Sequence, residues 1–207
     1  MQKRLKLFST KILLDSIMKK LFLLTALIFA FSFSYGQELK KPSEGKTLVY
    51  FVRTSGMGFA VNFKYFDGEK YLGKFNYGKY LVYECDPGKH IFWAAAENKS
   101  VIEAELEAGR VYIINSEVQM GILYAEVELL PFDNNPNAYK NQKKYDNKKN
   151  QVLKAISEQK EYIPNKEDVE KEQKDFESLI KNGVEKYNKQ KAQGKVYNQL
   201  PIEMFYN

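Results

Sequence analysis

From Thr47 to Leu130 the chain is divided into strand-length runs by turn signals, about one every 8–12 residues, a rhythm that confines this stretch to a small layered β fold. Thr47–Arg53 is apolar on both faces, as a central strand requires. Val61, Phe63 and Tyr65 alternate with Asn62 and Lys64, a period of two. Asp67-Gly68 supplies a positive-φ turn onto Lys70–Phe75, and Asn76-Tyr77-Gly78 turns the chain into Tyr80–Cys85. Asp86-Pro87-Gly88-Lys89 is a reverse turn with Pro fixing φ, followed by a strand over His90–Ala96. Glu97-Asn98-Lys99 leads into Val101–Leu106 and Ala108-Gly109 into Val111–Val118. The last strand, Ile122–Leu130, places Leu123, Ala125, Val127 and Leu129 inward, with Glu126 and Glu128 facing water. The pattern predicts a mainly β protein: a small antiparallel β-sandwich, Ig-like or prealbumin-like, over residues 45–132. Its 15 Tyr and 14 Phe supply the large side chains a small core needs.

Upstream, Lys19 and Lys20 precede an apolar run from Leu21 to Phe33, and small residues then flank a cut between Gly36 and Gln37. This is the layout of a secretory signal peptide. The run is short of the roughly 20 apolar residues of a membrane span. The expectation is therefore a signal peptide over 1–36, with translation starting at Met18 and 1–17 an over-long extension. The mature protein is then exported, periplasmic or extracellular, from a Gram-negative bacterium, with no stable membrane span. The only cysteine, Cys85, is far downstream, so no lipid anchor is expected.

Residues 1–36 carry six basic residues and one acid, a net of +5 out of the +6 of the whole chain. The mature protein is near neutral, so nucleic-acid binding, which rests on a basic face, loses its main support and is not expected. Within it, 37–137 has 11 basic and 14 acidic residues, whereas 138–207 has 15 and 11. That change of sign marks a boundary between two differently built segments.

Leu48-Val49-Tyr50-Phe51-Val52-Arg53, Tyr80-Leu81-Val82-Tyr83-Glu84, Pro87-Gly88-Lys89-His90 and Leu106-Glu107-Ala108-Gly109-Arg110-Val111-Tyr112 resemble the domain-of-unknown-function family 2846. The resemblance covers about residues 45–132 and implies an exported bacterial β-rich domain. It brings no catalytic residues.

Residues 133–150 read as a polar linker; within them Tyr139–Asn150, dense in Lys, Asn and Gln, reads as a solvated linker or a frayed helix start. Val152, Leu153, Ile156 and Ile163 follow at helical spacing up to Pro164; Asn165 is a good N-cap, with Glu167 and Asp168 in the first turn. Val169, Phe176, Ile180, Val184 and Tyr187 then share a face. A helical hairpin over 151–192 and a tail over 193–207 are predicted, the apolar stripe packing on the sandwich.

Candidate chemistry is sparse. His90 is the only histidine, which leaves no His-based metal cluster or complete triad. Beside a turn, it reads as a rim residue bonded to backbone. Cys85, a lone cysteine, reads as a sequestered apolar residue in preference to an intermolecular link. Glu103, Glu105, Glu107, Glu126 and Glu128 read as the wet faces of strands. Ser55-Gly56-Met57-Gly58 lacks the Lys-Ser/Thr of a phosphate loop. No catalytic residue, metal or cofactor is assigned. The expectation is a non-catalytic exported module that binds a protein or envelope component through loops, an edge strand or the tail. The alternative is a carbohydrate- or peptidoglycan-binding module that stacks sugars on Tyr77, Tyr80 or Trp93.

Overall fold

The run Thr47–Val52 forms β1 and is buried along its whole length, because both of its faces are covered. A computed structural model describes Met18 and residues 39–120 and 125–206. The signal peptide over 1–36, its cut between Gly36 and Gln37, and the start of the last strand at 122–124 lie outside the described residues. After β1 come β2 (Phe63–Asp67), β3 (Lys70–Phe75), β4 (Lys79–Cys85), β5 (Gly88–Ala95), β6 (Lys99–Leu106), β7 (Val111–Met120) and β8 (Ala125–Pro131). A 3-10 turn at Pro136–Ala138 leads to α1 (Gln142–Glu158), β9 (Lys160–Glu161), α2 (Lys166–Asp175), α3 (Glu177–Ala192) and β10 (Asn198–Leu200).

The strands form two five-stranded sheets, ordered β8-β7-β1-β4-β9 and β10-β6-β5-β2-β3. Val49, Phe51 and Ile114 of the first sheet meet Phe63, Tyr65 and Phe92 of the second in one buried cluster. Rings there interlock: Tyr65 stacks on Phe75 at 4.5 Å and Phe51 meets Phe92 edge-on at 5.5 Å. The Asp67-Gly68 turn forms as expected, with Gly68 at φ +54.

The sheets are mixed, which corrects the expectation of an antiparallel sandwich. β7 enters beside β1 in the same direction, Leu48 opposite Val111 and Val52 opposite Asn115. β10 runs parallel to β6, and β9 parallel to β4. Alternation of apolar residues reports which faces are buried and carries nothing about a neighbour's direction.

Each sheet has a second apolar face, and the helices divide between them. Tyr145, Val152 and Ile156 of α1 pack on Leu48, Tyr50, Val52 and Ile113 of the first sheet. Ile180 of α3, with Val169 and Phe176, packs on Phe66, Tyr71 and Trp93 of the second. This replaces the helical hairpin predicted over 151–192: the helices cover opposite sides of the sandwich, joined through β9. Asn141 caps α1, its side chain accepting from Lys144 N–H at 3.0 Å, so α1 takes up part of the segment read as a polar linker over 133–150. Asn165 caps α2 as expected, accepting from Glu167 and Asp168 N–H. Ile163, read as part of a helical stripe, lies between β9 and α2 and is 77% exposed.

The tail over 193–207 is also structural. Leu200 is fully buried in the inter-sheet core, and Tyr206 N–H donates to Val111 C=O at 2.7 Å. A sandwich ending at residue 132 is therefore incomplete.

Side chains cover the edges of β8 and β3, one outer strand of each sheet. On β8, the Asn98 amide both donates to Val127 C=O and accepts from Val127 N–H, at 2.9 and 2.7 Å. Ser100 Oγ accepts from Leu129 N–H, and Asn198 Nδ2 donates to Leu129 C=O. On β3, the Gln173 side chain accepts from Tyr71 N–H, and the Tyr162 ring lies against Gly73. These groups occupy positions that an added strand would need.

Candidate functional site

Outward from the second sheet, Ile91 and Trp93 of β5 and Val101 of β6 project toward α3, since their neighbours Phe92 and Ile102 are committed to the core. Gly183 of α3 lies directly on the Trp93 indole, which lets the helix approach the sheet closely. Between them lies a pocket of about 70 Å³ floored by Ile91, Trp93, Val101 and Val184, with Tyr187 and Tyr197 as walls. Lys99, Lys186 and Lys195 stand around it. Lys195 donates to Gln190, and among the described residues none of the three has an acidic side chain within ion-pair distance.

Glu103, two residues along β6 from Val101, lines the space that adjoins that pocket. It accepts from Tyr187 Oη, Lys191 Nζ and Gln199 Nε2, each at 2.7 Å, and so ties α3 and β10 to β6. Burial opposes its ionisation, yet these donors hold its carboxyl below the usual range. Glu103 is thus covered, which corrects its reading as part of a wet face; Glu105, Glu107 and Glu126 are exposed. Beyond it a wider cleft of about 440 Å³ continues between His90, Glu105, Lys191 and Leu200. Ile91 and Tyr187 line both spaces, which makes them two parts of one groove.

His90 stands on the wall of this cleft. Nδ1 lies 2.8 Å from Asp67 Oδ2 and Nε2 lies 2.9 Å from the Asp86 carbonyl, so both nitrogens face acceptors and the doubly protonated ring satisfies both. The hydrogen bond that Nδ1 donates to Asp67, above all, raises its pKa. Tyr83 Oη also donates to Asp67, and Lys70 Nζ donates to Tyr83 Oη. Cys85 is buried, and burial pushes its thiol up to about 12, with Asp67 and Asp86 adding to the effect. Both His90 nitrogens are thus taken up by acceptors within the fold, and the Cys85 thiol is held away from its thiolate form. Among the described residues no group of three or more His, Cys, Asp or Glu is placed to hold a metal ion. Nor is any helix among them long and apolar enough to cross a membrane.

Of the aromatics considered for sugar stacking, Tyr80 and Trp93 are 6% and 3% exposed, whereas Tyr77 is 39% exposed. No row of exposed rings joins these three. The sequence places Tyr187 on an apolar helical face but gives Lys99, Lys186, Lys195 and Tyr197 no binding role, because Lys99 meets the others from a segment far away in the chain. Glu103 offered a faint signal, as an acid on a strand whose neighbours Val101 and Ile102 are apolar.

No family model, curated protein or solved structure matches this chain.

Proposed function

We propose that the protein is an exported, non-catalytic binding module that engages a protein or cell-envelope component through the groove between α3 and the second sheet. The observation that carries this reading is the joining of an apolar pocket with a lysine margin to a longer polar cleft. Such a surface favours a partner that presents an apolar group flanked by acids. The sequestered thiol, the doubly engaged His90 ring and the covered edges of β3 and β8 support recognition by this groove over chemistry or strand addition. Export rests on the signal-like run before Gln37. The scaffold itself we read as a variant of the Ig-like or prealbumin-like sandwich, and the resemblance over 45–132 to the domain-of-unknown-function family 2846 is consistent with an exported β-rich module.

A photo-crosslinking residue placed at Lys186, with a control at Glu126 on β8, tests the site in envelope extract. Adducts confined to position 186 and suppressed by Lys99→Glu are expected. Equal adducts at both positions, or adducts indifferent to Lys99→Glu, would exclude the groove. Intact-mass measurement of the exported protein separately checks for an N-terminus at Gln37.

A further inference from the structure

In β1 the residues Val49 and Phe51 face the inter-sheet core, and the same alternation carries the next inward position to Arg53. Its residue is fully buried, and its guanidinium lies over the Phe63 ring at 4.1 Å. Nη1 donates to Val61 C=O at 2.7 Å, whereas Nη2 reaches Gly58 C=O only at 3.3 Å. Nε makes no hydrogen bond. Among the described residues no carboxylate pairs with this cation; Glu117, next to Ser116 on β7, is engaged by Lys148 and Asn115. Burial lowers the Arg53 pKa, and Tyr65 is the one neighbour that offsets it.

Two further polar groups share the environment. Ser116, the inward residue of β7 beyond the Val52–Asn115 pair, is buried, and so is Tyr65 from the opposite sheet. The Ser116 hydroxyl lies toward the Tyr65 phenol without the geometry of a hydrogen bond, and neither oxygen has a partner. A buried cation without a counter-ion, together with unpaired hydroxyls, is costly in a core otherwise filled by aromatic rings.

We propose that Arg53 binds a small carboxylate through its Nε–Nη2 edge, with Tyr65 Oη and Ser116 Oγ donating to the same anion. That edge of a guanidinium presents two parallel N–H groups, the fork that matches a carboxylate in bidentate fashion. Here one prong is unpaired and the other holds a long contact that the anion replaces, while the bond to Val61 keeps the group in place. The segment 54–61 covers the site, so entry proceeds by displacement of Gly58 from Nη2. The proposal is independent of the groove, which shares none of these residues.

The test is thermal unfolding of the full chain in sodium formate, sodium acetate or N-acetylglycine, each against sodium chloride at equal ionic strength. A saturable rise in Tm of about 3–6 °C at tenfold excess over Kd is expected in the carboxylates. Arg53→Lys, which keeps the charge and loses the fork, should abolish this increment, and Ser116→Ala and Tyr65→Phe should each weaken apparent affinity several-fold. A stronger effect of N-acetylglycine assigns the site to a peptide end; a stronger effect of formate or acetate assigns it to a free acid. Equal shifts in chloride and carboxylate, or a carboxylate-specific shift that survives Arg53→Lys, would overturn the proposal. Should Arg53→Lys fail to fold, an undiminished shift in both hydroxyl variants would do the same.

Discussion

Gly183 sits so close to Trp93 that a Cβ added to it would lie 2.9 Å from the indole Cη2 and 3.2 Å from two more ring carbons. In a solvent-exposed helix, Gly→Ala gains about 1 kcal/mol from propensity. Here the indole is buried, stacked on Phe66 at 3.8 Å, and bonded through Nε1 to the Gly68 carbonyl, so it has little room to move. Overpacking of this kind costs about 1–3 kcal/mol. Gly183→Ala should therefore destabilise the protein despite its better helix propensity, as urea unfolding will show. A gain in stability would mean that α3 is free to lift away from the sheet.

The pairing of His90 with Asp67 makes stability depend on pH. Because the folded pKa of His90 is raised, its contribution is fully present below the unfolded value near 6.5 and is lost as pH rises through the folded value. Tm should fall over that window, and Asp67→Asn should flatten the dependence. As His90 is the single histidine, its ring proton resonances report the folded pKa directly by NMR titration.

Asn98→Ala should expose the edge of β8 at Val127. It removes a donor and an acceptor from one backbone residue, a loss of about 1–3 kcal/mol for groups left partly buried. Sedimentation at increasing concentration should show association through the uncovered edge, whereas Lys99→Ala, one residue on, should leave the protein monodisperse relative to wild type.

Leu200→Ala should cost about 2–5 kcal/mol, as for a fully buried core leucine. Glu126→Ala, on the exposed face of β8, should stay within about 0.5 kcal/mol. Chemical denaturation of both variants measures the contrast. Similar small effects would mean that β10 is dispensable.

Local physics was readable wherever a residue's role is set by its near neighbours. The continuous apolar run of β1, the Asp67-Gly68 turn and the Asn165 cap all depend on a few adjacent side chains. Outcomes decided by distant segments were not readable in this way. Trp93 looks like an exposed ring until α3 is laid over it, and Glu103 looks solvated until Tyr187, Lys191 and Gln199 arrive from far along the chain. Over Gln142–Asn150 the choice between linker and helix start stays open in the sequence, since Tyr145 is the one buried side chain there and its partners lie elsewhere. Arg53 carried a signal in its own spacing: the alternation that buries Val49 and Phe51 places a cation at the next inward position.

The insertion of β10 beside β6 joins segments nearly a hundred residues apart, with Asn198 opposite Ile102. A chain emerging in order from its N-terminal side therefore makes β1 to β8 well before the piece that completes the second sheet. Until residues 198–206 are delivered, the inter-sheet core lacks Leu200 and the backbone of Val111 lacks Tyr206. Such long-range closure slows folding. The second sheet and the core between the sheets are therefore complete only once residues 198–206 have docked on strands formed far earlier in the chain.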